Sequence, residues 1–145
     1  MKAFYAGSFD PFTIGHKWIV ETALKMFDEV IIGIGFNESK HSETGPQVRL
    51  NEIKAIFENE DRVRVLSYSG ITAEEARRQD CAVLLRGVRN SFDFEKEKEL
   101  ADTNLEVFGM PTVLIPAKPS LSFVSSSMVR ELSHFGVDAS EFVAK

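Results

Sequence analysis

Cysteine is almost missing from this chain: Cys81 is the one example in 145 residues. A single thiol excludes an intrachain disulfide, and its place just before Ala82-Val83-Leu84-Leu85 reads as a buried small hydrophobe. Long apolar runs are missing too. Lys, Glu, Asp or Arg interrupts the hydrophobic stretches every few residues, so none approaches the ~18 to 20 residues needed to cross a bilayer. Met1-Lys2-Ala3-Phe4-Tyr5 leads straight into a strand-like segment with no apolar signal region, and a soluble, cytoplasmic protein is expected. Positive charge is in deficit, 17 Lys and Arg against 22 Asp and Glu, for a net charge of -5. That balance excludes broad electrostatic binding to nucleic acid or to an anionic membrane surface, so any bound anion must be held locally. There is no internal repeat, no low-complexity tract and no linker, which leaves one domain over residues 1–145. No nucleophile stands beside a base and no carboxylates cluster at metal-ligand spacing, so a covalent intermediate has no evident carrier.

What is present is alternation. Short apolar runs give way repeatedly to helix-spaced patterns, which predicts an α/β domain built on a parallel sheet. Strands are expected at Lys2 to Ala6, Glu29 to Gly35, Arg62 to Ser67, Cys81 to Leu85 and Pro111 to Ile115. Helices are expected from Gly15 to Phe27, from Pro46 to Phe57, and over Ala73 to Arg78 with Thr72 as N-cap. A long charged helix should start at Ser91 or Asp93 and stop at Phe108 before Gly109 and Pro111. Ser125-Ser126-Ser127 should open another helix, and Asp138 should cap a last short one.

The segment with the most chemistry is Gly7-Ser8-Phe9-Asp10-Pro11-Phe12-Thr13-Ile14-Gly15-His16, between the first strand and the first helix. In an open α/β sheet, ligands bind at the carboxyl ends of strands, and a helix start there presents free N–H groups to a phosphate. Gly7 allows close backbone approach, Ser8 supplies a small hydroxyl, and Pro11 stiffens the turn. In the first helical turn, the dipole disfavours a cationic His16 unless a ligand's negative charge offsets it. Arg86 and Arg89 emerge at the end of another buried strand, a poor place for core residues and a good one for multidentate phosphate binding.

The string GSFDPFTIGH resembles the signature of the nucleotidyltransferase superfamily related to class I aminoacyl-tRNA synthetases, and Thr13 at the first histidine position is similar to the phosphopantetheine adenylyltransferases in particular. Three more blocks fit that family: Lys40 after the second strand, Leu85 to Glu97, and Ser122 to Arg130, where Leu121 stands in place of a frequent aromatic. The resemblance runs from Lys2 to Leu132 and implies a Rossmann-like, doubly wound, five-stranded parallel sheet with helices on both faces. It also implies transfer of the adenylyl group of ATP to 4'-phosphopantetheine, giving dephospho-coenzyme A and pyrophosphate without a covalent intermediate.

By the same resemblance, His16, Lys40 and Arg86 are catalytic, and Ser8, Lys40, Thr72 and Arg86 bind 4'-phosphopantetheine. ATP would be held by Ser8, Phe9, His16, Gly87, Val88, Arg89, Glu97, Leu121, Ser122, Phe123, Val124, Ser125, Ser126 and Ser127. Mg2+ would accompany the triphosphate, held mainly by phosphate oxygens and water. A homo-oligomer, a hexamer in the family, is the expected assembly. The rival readings are a transferase of the same fold acting on nicotinamide mononucleotide or a polyol phosphate, and a nucleotide-binding module with no activity.

Overall fold

Five strands and five helices alternate along the chain in a computed structural model that describes residues 1–37 and 45–145. They are β1 (Lys2–Gly7), α1 (Ile14–Ala23), β2 (Glu29–Gly35), α2 (Pro46–Ile56), β3 (Val63–Tyr68), α3 (Thr72–Arg78), β4 (Val83–Val88), α4 (Ser91–Phe108), β5 (Thr112–Pro116) and α5 (Ser126–His134). The five strands of the sheet pair in parallel, in the order β3-β2-β1-β4-β5. Parallel sheets need both faces covered, and the central strands show it: Val30 to Ile32 and Ile34 have no exposed surface.

Alternation along each strand divides the core in two. Ala3, Tyr5, Ile32, Ile34 and Leu85 pack with Ile19, Val20 and Ala23 of α1 and Ile53 of α2. Phe4, Ala6, Ile31 and Leu84 pack on the other side with Ala73 and Ala76 of α3, together with Cys81 and Met110. Cys81 is buried as a small hydrophobe. The chain crosses from the β3 edge back to the centre and lays β4 beside β1, so the strand order reverses between these two. The crevice of such a sheet opens at the carboxyl ends of the strands flanking the reversal, here Gly7 and Arg86 to Val88.

The element boundaries depart from the sequence expectation in instructive places. Helix α1 stops at Ala23 rather than Phe27, because Met26 and Phe27 both donate to the Ala23 carbonyl and the tightened turn folds Phe27 onto the core. Strand β4 begins two residues later than expected and continues to Val88, so Arg86 lies inside the strand rather than after it. Helix α4 starts at Ser91, one of the two expected starts, and Asn90 caps it, its side chain accepting the Asp93 N–H at 2.9 Å. Gly109 ends α4 with φ 67°, a left-handed turn that favours glycine. Thr72 is the first residue of α3 rather than its cap, and its hydroxyl shares a 2.7 Å hydrogen bond with the Tyr68 hydroxyl. The Asp138 carboxylate accepts the Ser140 N–H at the start of a short 3-10 turn, Ser140–Phe142, and a second such turn spans Pro119–Leu121. No helix among the described residues is long and apolar enough to cross a membrane.

Candidate active site

Thr13 caps α1 and builds the first functional side chain in doing so. Its hydroxyl oxygen accepts the His16 N–H at 3.3 Å, while its own N–H donates to His16 Nδ1 at 2.9 Å, a reciprocal pair that satisfies both ends of the turn. The Thr13 hydroxyl also lies 3.1 Å from Nδ1. With Nδ1 engaged as an acceptor, the proton of a neutral ring belongs on Nε2. The ring stacks on Phe12 at 5.4 Å and meets the edge of Phe9 at 5.1 Å. Burial among these rings, reinforced by the Arg86 and Arg89 charges, pushes the imidazole pKa down to about 3. His16 is therefore a neutral hydrogen-bond donor at ordinary pH.

Strand β4 supplies the two arginines, and α4 supplies a carboxylate for each. Glu97 accepts Arg86 Nε at 2.9 Å and Nη2 at 2.7 Å, and Arg86 Nη1 donates to the Ala6 carbonyl. Asp93 accepts Arg89 Nε at 2.8 Å, Nη2 at 3.2 Å and the Arg89 N–H at 3.1 Å. Partial burial disfavours the Asp93 charge, but the Arg89 hydrogen bonds outweigh it and hold the carboxyl below its ordinary range. Both guanidiniums are thus aimed by forked pairs rather than left to sample rotamers. Tyr5, in β1 beneath them, has its phenol pushed up by burial and stays protonated.

The third wall is the start of α5. Ser125 caps it by accepting the Met128 N–H at 3.1 Å. Ser126 Oγ donates to the Pro11 carbonyl at 2.7 Å, and Arg130 donates to the Asp10 carbonyl at 2.6 Å and to Ser127 Oγ at 3.2 Å. These bonds dock α5 on the loop before α1. Two helix N-termini, with their partial positive charge, therefore open onto the same space.

That space is a cavity of about 310 Å3. It brings together Ser8, Phe9, His16, Arg86, Gly87, Arg89, Glu97, Leu121, Val124, Ser125, Ser126 and Ser127 of the residues singled out in the sequence. Four others are not in its wall. Thr72 is bonded to Tyr68. Val88 closes β4, where its carbonyl accepts the Ala117 N–H. Ser122 follows the 3-10 turn, and Phe123 is exposed against Phe142. Lys40 lies outside the described residues. The sequence reading missed Tyr5, Thr13 as the partner of His16, Asp93 and Arg130. Asp93 had a usable signal, four residues after Arg89 with a helix starting between them. Arg130 had a similar one, a helical turn beyond the serines.

The arrangement suits polyphosphate chemistry: cations and N–H donors around a space, with the nearby carboxylates already committed to arginines. Residues 4–132 match the Cytidylyltransferase-like family model. A Francisella tularensis structure described as a bifunctional NMN adenylyltransferase/ADP ribose pyrophosphatase superposes with TM-score 0.74 at 15% identity, covering 99% of this chain and 45% of that one. This is a likeness of fold. A Porphyromonas gingivalis protein named phosphopantetheine adenylyltransferase is 46% identical over 141 residues, 97% of this chain and 92% of that protein. A Bacteroides fragilis protein of the same name is 41% identical over 144 residues, 99% of this chain and 96% of that protein. Identity at this level over nearly the full length of both partners places the chain in the phosphopantetheine adenylyltransferase family of nucleotidyltransferases.

Proposed function

We propose that this chain transfers the adenylyl group of ATP to 4'-phosphopantetheine, giving dephospho-coenzyme A and pyrophosphate. The observation that carries the reading is the meeting of His16, Arg86, Arg89 and the α5 serines around one cavity at the β1/β4 crevice. The acceptor phosphate is ionised near neutral pH and needs no general base, so in-line attack on the α-phosphorus requires positioning and charge stabilisation alone. His16 Nε2–H donates to an α-phosphoryl oxygen as charge builds on it. Ser8 and Arg86, with Lys40, orient the acceptor phosphate. Arg89 and the N–H groups and hydroxyls at the start of α5 hold the β- and γ-phosphates, and pyrophosphate leaves from that side. The bond from the acceptor oxygen to the α-phosphorus forms as the α–β bridging oxygen departs with pyrophosphate.

Mg2+ belongs to this reading as the counter-ion of ATP, bound by phosphate oxygens and water. No group of three or more metal-ligating side chains stands together among the described residues. Assembly of like chains, a hexamer by family, is also part of it. Helix α4 buries none of its residues and exposes Phe92, Phe94, Leu100, Leu105 and Val107, and a second copy of the chain would cover them.

The test is pyrophosphate release from MgATP with 4'-phosphopantetheine, with nicotinamide mononucleotide, and with no acceptor. Release with 4'-phosphopantetheine alone is expected. Preference for nicotinamide mononucleotide would reassign the acceptor, and ATP binding without release under any condition would leave a binding module.

A further inference from the structure

The turn that carries Ser8 has a backbone that must be held in place. Phe9 has φ 48°, in the left-handed region that L residues enter only where their surroundings impose it. Part of the restraint is the Phe9 ring, 3% exposed and packed on Tyr5, Phe12 and His16. The rest acts on the carbonyls. Arg130 takes that of Asp10 and Ser126 that of Pro11, both from α5 and both within the cavity wall.

The Ser8 carbonyl is held from a different quarter. It accepts Arg49 Nη1 at 2.5 Å, and Arg49 stands in the first turn of α2, 4% exposed, outside the cavity wall. A guanidinium is costly to bury, so its burial here calls for a task that an apolar side chain could not perform. The geometry names one. The Ser8–Phe9 peptide is trans, so its N–H points opposite to its carbonyl. Drawing the Ser8 oxygen towards α2 turns the Phe9 N–H away from α2. A turn entering the left-handed region with its N–H groups facing one way is an anion-binding concavity. With the carbonyl released, the peptide could rotate and present an oxygen to the phosphates.

We propose that Arg49 is a positioning residue for the Ser8–Phe9 turn: by binding the Ser8 carbonyl it fixes the peptide whose N–H, with the Ser8 hydroxyl, meets the transferring phosphoryl group. This rests on the adenylyl-transfer reading above. Arg49, outside the cavity wall, acts through the turn.

The test is a double-mutant cycle with Ser8→Ala, read in kcat/KM for pyrophosphate release and in ATP affinity by calorimetry. Arg49→Met is made beside Arg49→Lys, which keeps the charge without the planar fork, so that a folded variant is in hand if the first fails to fold. Thermal melts confirm that each variant is folded at the assay temperature. The expected result is a loss of about 30-fold in kcat/KM and about 5-fold in ATP affinity for Arg49→Met, with Arg49→Lys between it and the parent. The Ser8→Ala/Arg49→Met double should fall within about 3-fold of the worse single variant, since both damage one turn. Folded variants within 2-fold of the parent, or losses that multiply with that of Ser8→Ala, would overturn the proposal. If the parent itself releases no pyrophosphate with 4'-phosphopantetheine, the adenylyl-transfer reading fails, and the calorimetric cycle alone decides the role of Arg49.

Discussion

Replacing His16 by Phe separates the imidazole's hydrogen bond from its packing. A phenyl ring can still stack on Phe12, at 5.4 Å in the native pair, and meet the Phe9 edge, but it leaves the buried Thr13 N–H without its Nδ1 acceptor, so the fold should lose about 1 to 3 kcal/mol and the assay is run where the variant is folded. What disappears is the Nε2–H donor, whose tautomer is set by the Thr13 N–H on Nδ1 at 2.9 Å. Loss of one preorganised donor to developing charge costs about 2.7 to 4 kcal/mol, or ~100- to 1000-fold in kcat. The assay is pyrophosphate release at saturating MgATP and 4'-phosphopantetheine. KM for ATP should move by less than about threefold, because the interaction is made chiefly in the transition state.

The pH dependence sharpens the case. With a pKa near 3 in the fold, His16 does not titrate between pH 5 and 8, so it contributes no inflection to kcat there. The acceptor phosphate itself titrates near pH ~6, so the informative quantity is the ratio of parent to variant across the range, which should be flat. Stability should not be flat. Below the ordinary histidine value the unfolded chain takes up a proton that the native ring refuses until about pH 3, so the parent loses stability relative to His16→Phe as pH falls through that window. Near-parental kcat for His16→Phe, or a kcat ratio that collapses below pH 6.5, would refute a neutral donor.

Three further outcomes follow from contacts already described. Glu97→Gln breaks the forked pair that aims Arg86, and kcat/KM for the acceptor should drop about tenfold, the scale of one charge-assisted hydrogen bond; an unchanged value in a steady-state titration would mean that Arg86 needs no such support. Gly33→Ala drives a Cβ into the fully buried Phe4 ring, so denaturant unfolding should register a loss of about 1 to 3 kcal/mol. Cys81, buried and with its thiol pushed up to about 11, should resist iodoacetamide at pH 8 in the native protein and react once it is unfolded, as followed by mass spectrometry.

What the sequence determined by itself is the part that local physics enforces. The run Val30 to Ile34 is too apolar for anything but a strand covered on both faces, and the serines before Met128 are a helix start wherever that helix goes. The string from Gly7 to His16 could likewise be read directly, because its glycines, serine and Gly-His ending fall within ten consecutive residues. The convergence of its His16 with Arg86 and Ser125, from three distant stretches, was an expectation that required a sheet order to become true. That order, β3-β2-β1-β4-β5, was decided in space: only the return of β4 to the side of β1 sets Arg86 beside Ala6.

Side-chain partners lay further beyond reach. Glu97 looks like a candidate nucleotide ligand in the sequence, yet both of its oxygens are engaged by Arg86 across 11 residues. Arg49 reads as one charge among many on a helix, and nothing local reveals that it is buried against the Ser8 carbonyl 41 residues away. Periodicity reports which face of an element is apolar. It carries no information on which charge will be taken out of water to meet a distant backbone oxygen, because that choice is made by the packing of one element on another.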